Sequence, residues 1–526
     1  MTRRLGLPWV MLVVVSLVLA ACSGGSTTSP RASSPGQTGS AATPATGGES
    51  PDTGGESPDT GGESPDTGEE SPDAGESPDA GESPDAGESP DAGESPDAGE
   101  SPDAGATTDP GSSPAALTCP DTARDQTLEM WSPLTGPDGD EMSALAQRFN
   151  SENEWGITVN HVPNPDYLVA LQTAAASPDQ LPEMTIARVI NVGELAARNI
   201  IVPWGDEALG ILGDAEANMA ALPWERGEYN GQRYSVPFDL AALVMYYNKD
   251  MFAAANVAEP TTTPWTREEF EAALTALQGS GVQAISIGTL FQTSTLFQSF
   301  IEQLGGSVVN EDGTQATFAS PEGVEALTYI KQLRDTHGTA ASGPGDPEVQ
   351  PFQAGTAAIV IHGPWHISNM AQIQDFEVGF APIPQIGDQF AVWGGSHQLA
   401  LHSEDPAIQA AAGCWMSWFL QNSLDWAAAG QIPAYTPVRE NPELETVAPG
   451  IAAIAPSAGE GVIILPQVAG IEGAVWPQGF EPAIDAILLG QETDIQAALE
   501  RQQANAQQVI DQNAQQYGAG GASPSP

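Results

Sequence analysis

A long acidic repeat near the start of the chain decides how much of it can fold. In residues 49–103 the motif Gly-Glu-Ser-Pro-Asp-Ala/Thr recurs, and this stretch holds 19 of the 69 acidic residues, with no basic and no aromatic residue. It has no apolar surface to bury and its like charges repel, so we expect it to stay disordered and extended. About 390 residues beyond it are enough for two packed lobes.

The charge of the chain restricts its partners. The 69 acidic residues face 15 basic ones, which gives a formal charge of −54, and the acidic excess continues beyond the repeat. Such a surface repels phosphate backbones and anionic lipid surfaces. The sequence therefore predicts no nucleic-acid partner and no electrostatic binding to a membrane.

The first residues have the order of an export signal. Arg3-Arg4 precede an apolar run at residues 10–19, which ends in Leu19-Ala-Ala-Cys22 and is too short for a stable membrane span. The Leu-Ala-Ala-Cys order resembles the lipobox of bacterial lipoproteins. The resemblance implies a signal peptide at 1–21, lipidation of Cys22 and a lipid anchor at the extracytoplasmic face of the cell membrane. An ordinary signal peptide with an incidental cysteine is the alternative.

Residues 22–124 would then form a disordered tether between the anchor and the folded body. Once the signal is removed, the cysteines left beside Cys22 are Cys119 and Cys414. In an oxidising compartment these two could form a disulfide, and each could equally be free.

From residue 128 the pattern alternates between strand-like and helix-like segments. Leu128-Glu-Met-Trp131 and residues 157–162 have the pattern of strands, and the helix between them has its apolar residues at helical spacing. Thr266-Arg-Glu-Glu269 is a capping box that opens a helix in a second such set. This rhythm predicts α/β architecture, with ligands bound in a cleft between lobes.

Three motifs carry a family resemblance. They are Tyr234-Ser-Val-Pro-Phe-Asp-Leu-Ala-Ala-Leu-Val-Met-Tyr-Tyr-Asn-Lys-Asp-Met-Phe252, Phe352-Gln-Ala-Gly-Thr-Ala-Ala-Ile-Val-Ile-His-Gly-Pro-Trp365, and Trp393-Gly-Gly-Ser396 before Gln398-Leu-Ala-Leu401. Together and in this order they resemble the maltose-binding-protein-like solute-binding proteins of ABC importers. The resemblance covers roughly residues 125–517.

The resemblance implies a type II periplasmic-binding-protein fold, in which two α/β lobes joined by chain crossings enclose a ligand cleft. Crossings are expected near Pro237, near Gly395 and past Ile432. Lobe 1 would comprise about 125–237 and 396–435, and lobe 2 about 238–395 and 436–517. Residues 518–526 would be a disordered tail.

A sugar has apolar C–H faces and a rim of hydroxyls, so its site needs flat aromatic surfaces and fixed polar groups. Trp365 follows the strand-like Ile359-Val-Ile361 and its Gly-Pro stop, where the family has a stacking aromatic side chain. Trp393 precedes Gly394 and Gly395, which leave the backbone open to a ligand. The alternatives are a core tryptophan at 365 and a plain turn at 393–396.

The remaining candidates depend on the resemblance. They are Trp131 and Ser132 after the first strand, Asp239 at a crossing, Phe291, Ser396 and Trp476. Trp131 could instead be a core residue, and Asp239 could cap the following segment. Arg188 departs from the family pattern, which often has an acid there, so an acidic sugar or another anionic solute stays open. Alternatively, this arginine is solvated or paired with a neighbouring acid.

The sequence predicts no catalytic residues, no cofactor and no metal. It has no Gly-x-Ser-x-Gly elbow and no His-Glu-x-x-His, and the spacing of His362, His366 and His397 is not that of a usual zinc site. We therefore predict a lipid-anchored monomeric receptor that captures an oligosaccharide or glycoside and delivers it to the permease subunits of an ABC importer. The alternatives are the same fold with a non-sugar solute, or a surface carbohydrate receptor not coupled to transport.

Overall fold

The computed structural model describes residues 118–518 except Ala341 and Pro344, and it leaves out the side chain of Glu460. The predicted signal peptide, Cys22, most of the tether and nearly all of the tail lie outside the described residues. All described residues belong to one compact unit, Ala104–Pro526. Among their helices, none combines the length and the apolar character that crossing a membrane requires.

The described residues form strands that fall into several sheets. The strands are β1 (Thr127–Ser132), β2 (Thr158–Pro163), β3 (Met184–Arg188), β4 (Glu228–Tyr229), β5 (Gln232–Arg233), β6 (Ser235–Pro237), β7 (Asp239–Ala242), β8 (Val244–Asn248), β9 (Gln283–Ser286), β10 (Ala357–His362), β11 (Val378–Pro382), β12 (Val392–Gly395), β13 (His397–Leu401), β14 (Ile432–Pro433) and β15 (Val462–Ile463).

Helices pack around these sheets. They span Pro137–Glu152, Tyr167–Ala174, Val189–Ala197, Asp206–Ile211, Ala215–Asn218, Ala221–Glu225, Lys249–Ala254, Arg267–Gly279, Phe291–Gln303, Pro321–His337, Val349–Gln353, Ile367–Met370, Pro406–Gln421, Ser423–Ala428, Thr436–Arg439, Leu444–Val447, Pro449–Gly461, Ile471–Val475, Glu481–Leu488 and Ile495–Tyr517. The helix Arg267–Gly279 begins with the expected capping box, in which Thr266 and Glu269 bond each other's backbone N–H groups.

The first sheet is five-stranded, in the order β2-β1-β3-β13-β6. Strand β1 is parallel to β2 and β3, as the strand–helix–strand rhythm predicts, whereas β13 is antiparallel to β3 and β6. The strand β13 comes from a part of the chain far from the other four. The sheet is therefore discontinuous in sequence.

The second sheet has the order β11-β8-β10-β9. All six residues of β10 are buried, which explains why this central strand reads as an uninterrupted apolar run. Strand β10 is parallel to β9 and antiparallel to β8. Its carboxyl end, at His362, leads directly to Gly363, Pro364 and Trp365.

A third sheet of short strands lies where the chain passes between the other two, in the order β14-β7-β12-β15. Phe238 alone separates β6 of the first sheet from β7, and Ser396 alone separates β12 from β13. Crossings between lobes were predicted near Pro237, near Gly395 and past Ile432, and their assignment to particular residues stays a prediction. The exact lobe boundaries stay a prediction.

The folded body begins earlier than the sequence predicts. Residues 118–124 were assigned to the tether, but Cys119 forms a disulfide with Cys414, with 5.9 Å between their Cα atoms. Ala123, in the short 3-10 turn Asp121–Ala123, is fully buried. The prediction was wrong because the pairing of Cys119 depends on a helix, Pro406–Gln421, that is distant in sequence.

Candidate functional site

A cavity of about 520 Å³ opens where the ends of β3, β10 and β12 face the segment around residues 464–476. This volume is in the range of small-molecule sites. Eight of the residues predicted from the sequence line it: Arg188, Phe291, Trp365, Trp393, Gly394, Gly395, Ser396 and Trp476.

Aromatic side chains from four separate segments meet on the cavity wall. The ring centroid of Phe291 lies 5.6 Å from that of Trp365, 5.4 Å from that of Trp393 and 5.8 Å from that of Trp476. Phe291 begins a helix, Trp365 follows β10, Trp393 belongs to β12, and Trp476 follows the helix Ile471–Val475. Trp476 is nearly buried and its Nε1–H donates to Gln298 Oε1 at 3.3 Å, whereas the other three rings are partly exposed.

Gly363 lets the Trp365 indole fold back over the end of β10. A Cβ atom at position 363 would lie 2.1–2.3 Å from the ring carbons of Trp365. The carbonyl oxygen of Gly363 accepts a hydrogen bond from the Tyr246 hydroxyl at 2.6 Å, which fixes the strand end. The indole is therefore held against the cavity by the backbone.

Charged groups at the cavity are mostly acidic. Within the described lining, the carboxyl groups of Asp138, Asp346 and Glu472 accompany the guanidinium of Arg188. That guanidinium is 3.3 Å from Glu472, through Nη2 and Oε2. Of the alternatives left open for Arg188, the structure favours the arginine paired with an acid.

Asp239 does not line the cavity, contrary to the sequence prediction. Its carboxyl group is fully buried and accepts from the backbone N–H of His397 at 2.6 Å, from His397 Nδ1 at 2.7 Å and from Trp426 Nε1 at 3.1 Å. These donors occupy both carboxylate oxygens. Asp239 acts on the cavity indirectly, because it holds His397, which lines it.

Trp131 and Ser132 are also outside the cavity lining, although both were predicted there. Trp131 Nε1–H donates to Glu129 Oε1 at 2.5 Å, and the buried Ser132 Oγ is 2.5 Å from His161 Nε2. The cavity is lined instead by the next two residues, Pro133 and Leu134. Trp131 and Ser132 directly precede these two lining residues, and their role in binding stays a prediction.

Several residues that line the cavity were not predicted from the sequence. Gln298 lies seven residues after Phe291 on one helix, and that helical spacing was a usable signal. Asp138 lies in the first turn of the helix that follows the β1 loop. An acid there is explained by its favourable interaction with the helix dipole, so it gave no separate signal of a site. Asp346 and Gln431 lie outside helices and strands and gave no periodic signal.

A group of metal-ligating side chains adjoins Trp365. One ligand atom from each of Asp346, His362 and His366 lies within 4.8 Å of the others. A carboxylate oxygen of Glu348 lies 3.2 Å from His362 Nε2. The neighbouring imidazoles of His362 and His366 hold the pKa of Asp346 well below its usual range. We define Asp346, Glu348, His362 and His366 as the histidine–carboxylate cluster.

The sequence of this chain is similar to a known protein family. Residues 144–449, more than half of the chain, match the family model described as bacterial extracellular solute-binding protein. The sn-glycerol-3-phosphate-binding periplasmic protein UgpB of Escherichia coli is 24% identical over 339 residues, which are 60% of this chain and 76% of that protein.

Solved structures share the fold. The cyclic alpha-maltosyl-1,6-maltose binding protein of Arthrobacter globiformis aligns with a TM-score of 0.61 and 23% identity, over 73% of this chain and 99% of that one. The GacH receptor of Streptomyces glaucescens, solved without ligand and with acarbose, gives 0.63 and 20%, over 75% and 99%. UgpB of Mycobacterium tuberculosis in complex with glycerophosphocholine gives 0.62 and 18%, over 73% and 98%.

These similarities confirm the predicted fold class, the type II periplasmic-binding-protein fold with two α/β lobes around a cleft. They also confirm the predicted resemblance to solute-binding proteins, which is a class of binding proteins and not of enzymes. The chain belongs to the bacterial extracellular solute-binding protein family.

Proposed function

We propose that this protein binds a carbohydrate, an oligosaccharide or a glycoside, in the cavity and delivers it to the permease subunits of an ABC importer. The observation that carries the proposal is the group of Phe291, Trp365, Trp393 and Trp476 on one cavity wall. Aromatic rings offer the flat apolar surface that the C–H faces of a sugar need. Relatives of the same fold were solved with maltose and with maltotriose.

Polar groups around the rings support the same ligand class. Gln431 is 1% exposed, lines the cavity, and its Oε1 has no hydrogen-bond partner among the described atoms. A buried carbonyl oxygen without a donor is costly, and a sugar hydroxyl would supply that donor. Asp138 and Asp346 add carboxylate acceptors, which form strong hydrogen bonds with hydroxyl groups.

The charge balance argues against an anionic solute, although UgpB relatives are described as binding sn-glycerol 3-phosphate. The guanidinium of Arg188 is already paired with Glu472, and the lining carries more carboxyl groups than cationic side chains. A phosphate ester would have to displace Glu472 and face the remaining acids. A neutral polyol meets no such cost.

We also propose how the protein is anchored and how it works. Cys22 would carry the lipid, and the body would act as a monomer. Lobe 1 would comprise residues 118–237 and 396–435, and lobe 2 residues 238–395 and 436–517. Ligand contacts from both lobes would favour the closed form, which the permease recognises.

The experiment is a thermal-shift screen of the purified protein with neutral oligosaccharides, polyamines and sn-glycerol 3-phosphate, followed by calorimetry. A bound ligand raises the melting temperature, and we expect neutral sugars to do so. Trp365→Ala should weaken sugar binding by about 1 to 3 kcal/mol. The matched control is Trp155→Ala, because Trp155 is also partly buried and does not line the cavity.

Two results would contradict the proposal. One is a melting-temperature increase with sn-glycerol 3-phosphate and with none of the sugars. The other is unchanged sugar affinity in Trp365→Ala, which would remove the aromatic wall from the binding site.

A further inference from the structure

The residues of the histidine–carboxylate cluster come from two segments that are separate in the sequence and close in space. His362 ends β10 and His366 ends the short turn Pro364–His366, so they flank Trp365. Asp346 and Glu348 come from the loop before the helix Val349–Gln353. Asp346 Oδ1 lies 3.3 Å from His362 Nε2, and Asp346 Oδ2 lies 3.1 Å from His366 Nε2.

Two members of the cluster are buried without adequate partners. His362 and Glu348 are each 1% exposed. Among the described atoms, neither His362 Nε2 nor Glu348 Oε2 has a hydrogen-bond partner of acceptable geometry. A carboxylate oxygen from each acid lies near His362 Nε2, at 3.3 Å for Asp346 and 3.2 Å for Glu348. Buried polar atoms are nearly always satisfied, so the unpaired His362 Nε2, which lies beside a carboxylate oxygen of Asp346 and one of Glu348, calls for a group that satisfies it.

We propose that the histidine–carboxylate cluster binds a divalent transition-metal ion of the Zn²⁺ class beside the carbohydrate site. The ligands are His362 Nε2, His366 Nε2 and a carboxylate oxygen of Asp346, and Glu348 completes the set. Two imidazole nitrogens with two carboxylate oxygens suit Zn²⁺ or Mn²⁺, whereas Ca²⁺ and Mg²⁺ prefer oxygen ligands throughout. The two carboxylates also balance the double positive charge of the ion.

Metal binding would require one hydrogen to move. His362 Nδ1 accepts from the backbone N–H of Gly363 at 2.9 Å, so the neutral ring carries its hydrogen on Nε2. An ion on Nε2 takes the place of this hydrogen, which moves to Nδ1, and the bond from Gly363 is lost. The cost is about one hydrogen bond.

That rearrangement links the ion to the aromatic wall. Gly363 lies two residues before Trp365, and the His362 ring is centred 5.5 Å from the Trp365 ring and 5.7 Å from Phe291. A shift of Gly363 therefore changes the position of Trp365. Under the proposed function, metal occupancy would alter carbohydrate affinity.

The test is calorimetric titration of ZnCl₂, and separately MnCl₂, into the full-length protein, purified without a histidine tag and treated with EDTA. We compare wild type with Asp346→Asn and His366→Gln, which remove ligands at partly exposed positions. The control is His337→Gln, a histidine at the end of the helix Pro321–His337, outside the cluster. All variants keep the acidic repeat, so weak zinc binding there is common to every titration.

We expect one saturable site in wild type and in His337→Gln, and a loss of affinity of about 100-fold or more in the other two variants. Saturation of that site should also change tryptophan fluorescence. No binding of either ion by wild type would overturn the proposal, and so would equal binding by all four proteins. Metal binding is measured without sugar, so its failure leaves the proposed carbohydrate function intact, and a failed sugar screen leaves the metal site intact.

Discussion

Replacing Asp239 with Asn tests whether the buried carboxylate holds the edge of the cavity. In the native protein this group accepts from His397 N–H, from His397 Nδ1 and from Trp426 Nε1. Asparagine keeps one carbonyl oxygen and puts an NH₂ group at the position of the other. The NH₂ can donate to His397 Nδ1 if the imidazole changes tautomer, but it leaves the Trp426 N–H without an acceptor.

The magnitude follows from these contacts. A hydrogen bond to a charged acceptor contributes about 1.5 to 3 kcal/mol, and an unsatisfied buried donor costs about 1 to 3 kcal/mol. Since two of the three bonds can be rebuilt in weaker form, we expect Asp239→Asn to lower the free energy of unfolding by about 2 to 4 kcal/mol. The exposed Asp375 provides the control, and Asp375→Asn should change it by less than about 0.5 kcal/mol.

The loss in free energy of unfolding caused by Asp239→Asn should depend on pH. Burial lowers the pKa of His397, the Asp239 carboxylate raises it, and the net pKa is raised. A raised histidine pKa stabilises the native state below the unfolded-state pKa, and that contribution fades as pH rises through the native pKa. Urea unfolding should therefore give a larger loss for Asp239→Asn at about pH 5.5 than at about pH 9. A loss equal to that of Asp375→Asn at both pH values would refute the reasoning.

Three further measurements address other parts of the molecule. The Cys119–Cys414 disulfide spans 295 residues, and replacing both cysteines with Ser should lower the free energy of unfolding in guanidinium by about 2 to 5 kcal/mol. An unchanged unfolding midpoint would contradict this. Burial lowers the pKa of His402 to about 4, so the free energy of unfolding should fall as pH drops from about 6.5 towards 4. In thermal unfolding at pH 5, His402→Asn should remove roughly 1 to 2 kcal/mol of this loss. Parallel pH curves for the two proteins would argue against it. Gly363→Ala should displace the Trp365 indole and reduce carbohydrate affinity about tenfold or more in calorimetry. The control Gly459→Ala, with open space around its Cβ, should leave the affinity unchanged. Equal affinities in the two variants would show that the backbone at Gly363 does not position Trp365.

The sequence was most informative where a tryptophan stands next to glycine or proline residues. Trp365 was identified as a candidate because the Gly-Pro pair ends β10, and Trp393 because two glycines follow it in β12. Both residues line the cavity. Local order and the family resemblance together identified these residues, since Trp365 stands where the family has a stacking aromatic side chain.

The sequence was least informative where a role depends on a partner distant in the chain. Asp239 has the position of a ligand-binding acid, but its partners His397 and Trp426 lie 158 and 187 residues away. Asp346 and Glu348 approach His362 through a loop without hydrophobic periodicity. No local pattern predicts such contacts, because loop closure and packing bring them about.

The position of Asp239 links the stability of the chain crossings to the shape of the cavity. The residue begins β7, one position after Phe238, the single residue that separates the first and third sheets. Its main partner, His397, begins β13 on the other side of the second passage and lines the cavity. In the proposed division into lobes, a movement of one lobe relative to the other would turn the chain at these passages, because they connect the sheets. The hydrogen bonds of Asp239 would resist that turn and would orient His397 at the same time, so a weakened Asp239 should loosen the crossings and disturb the cavity together.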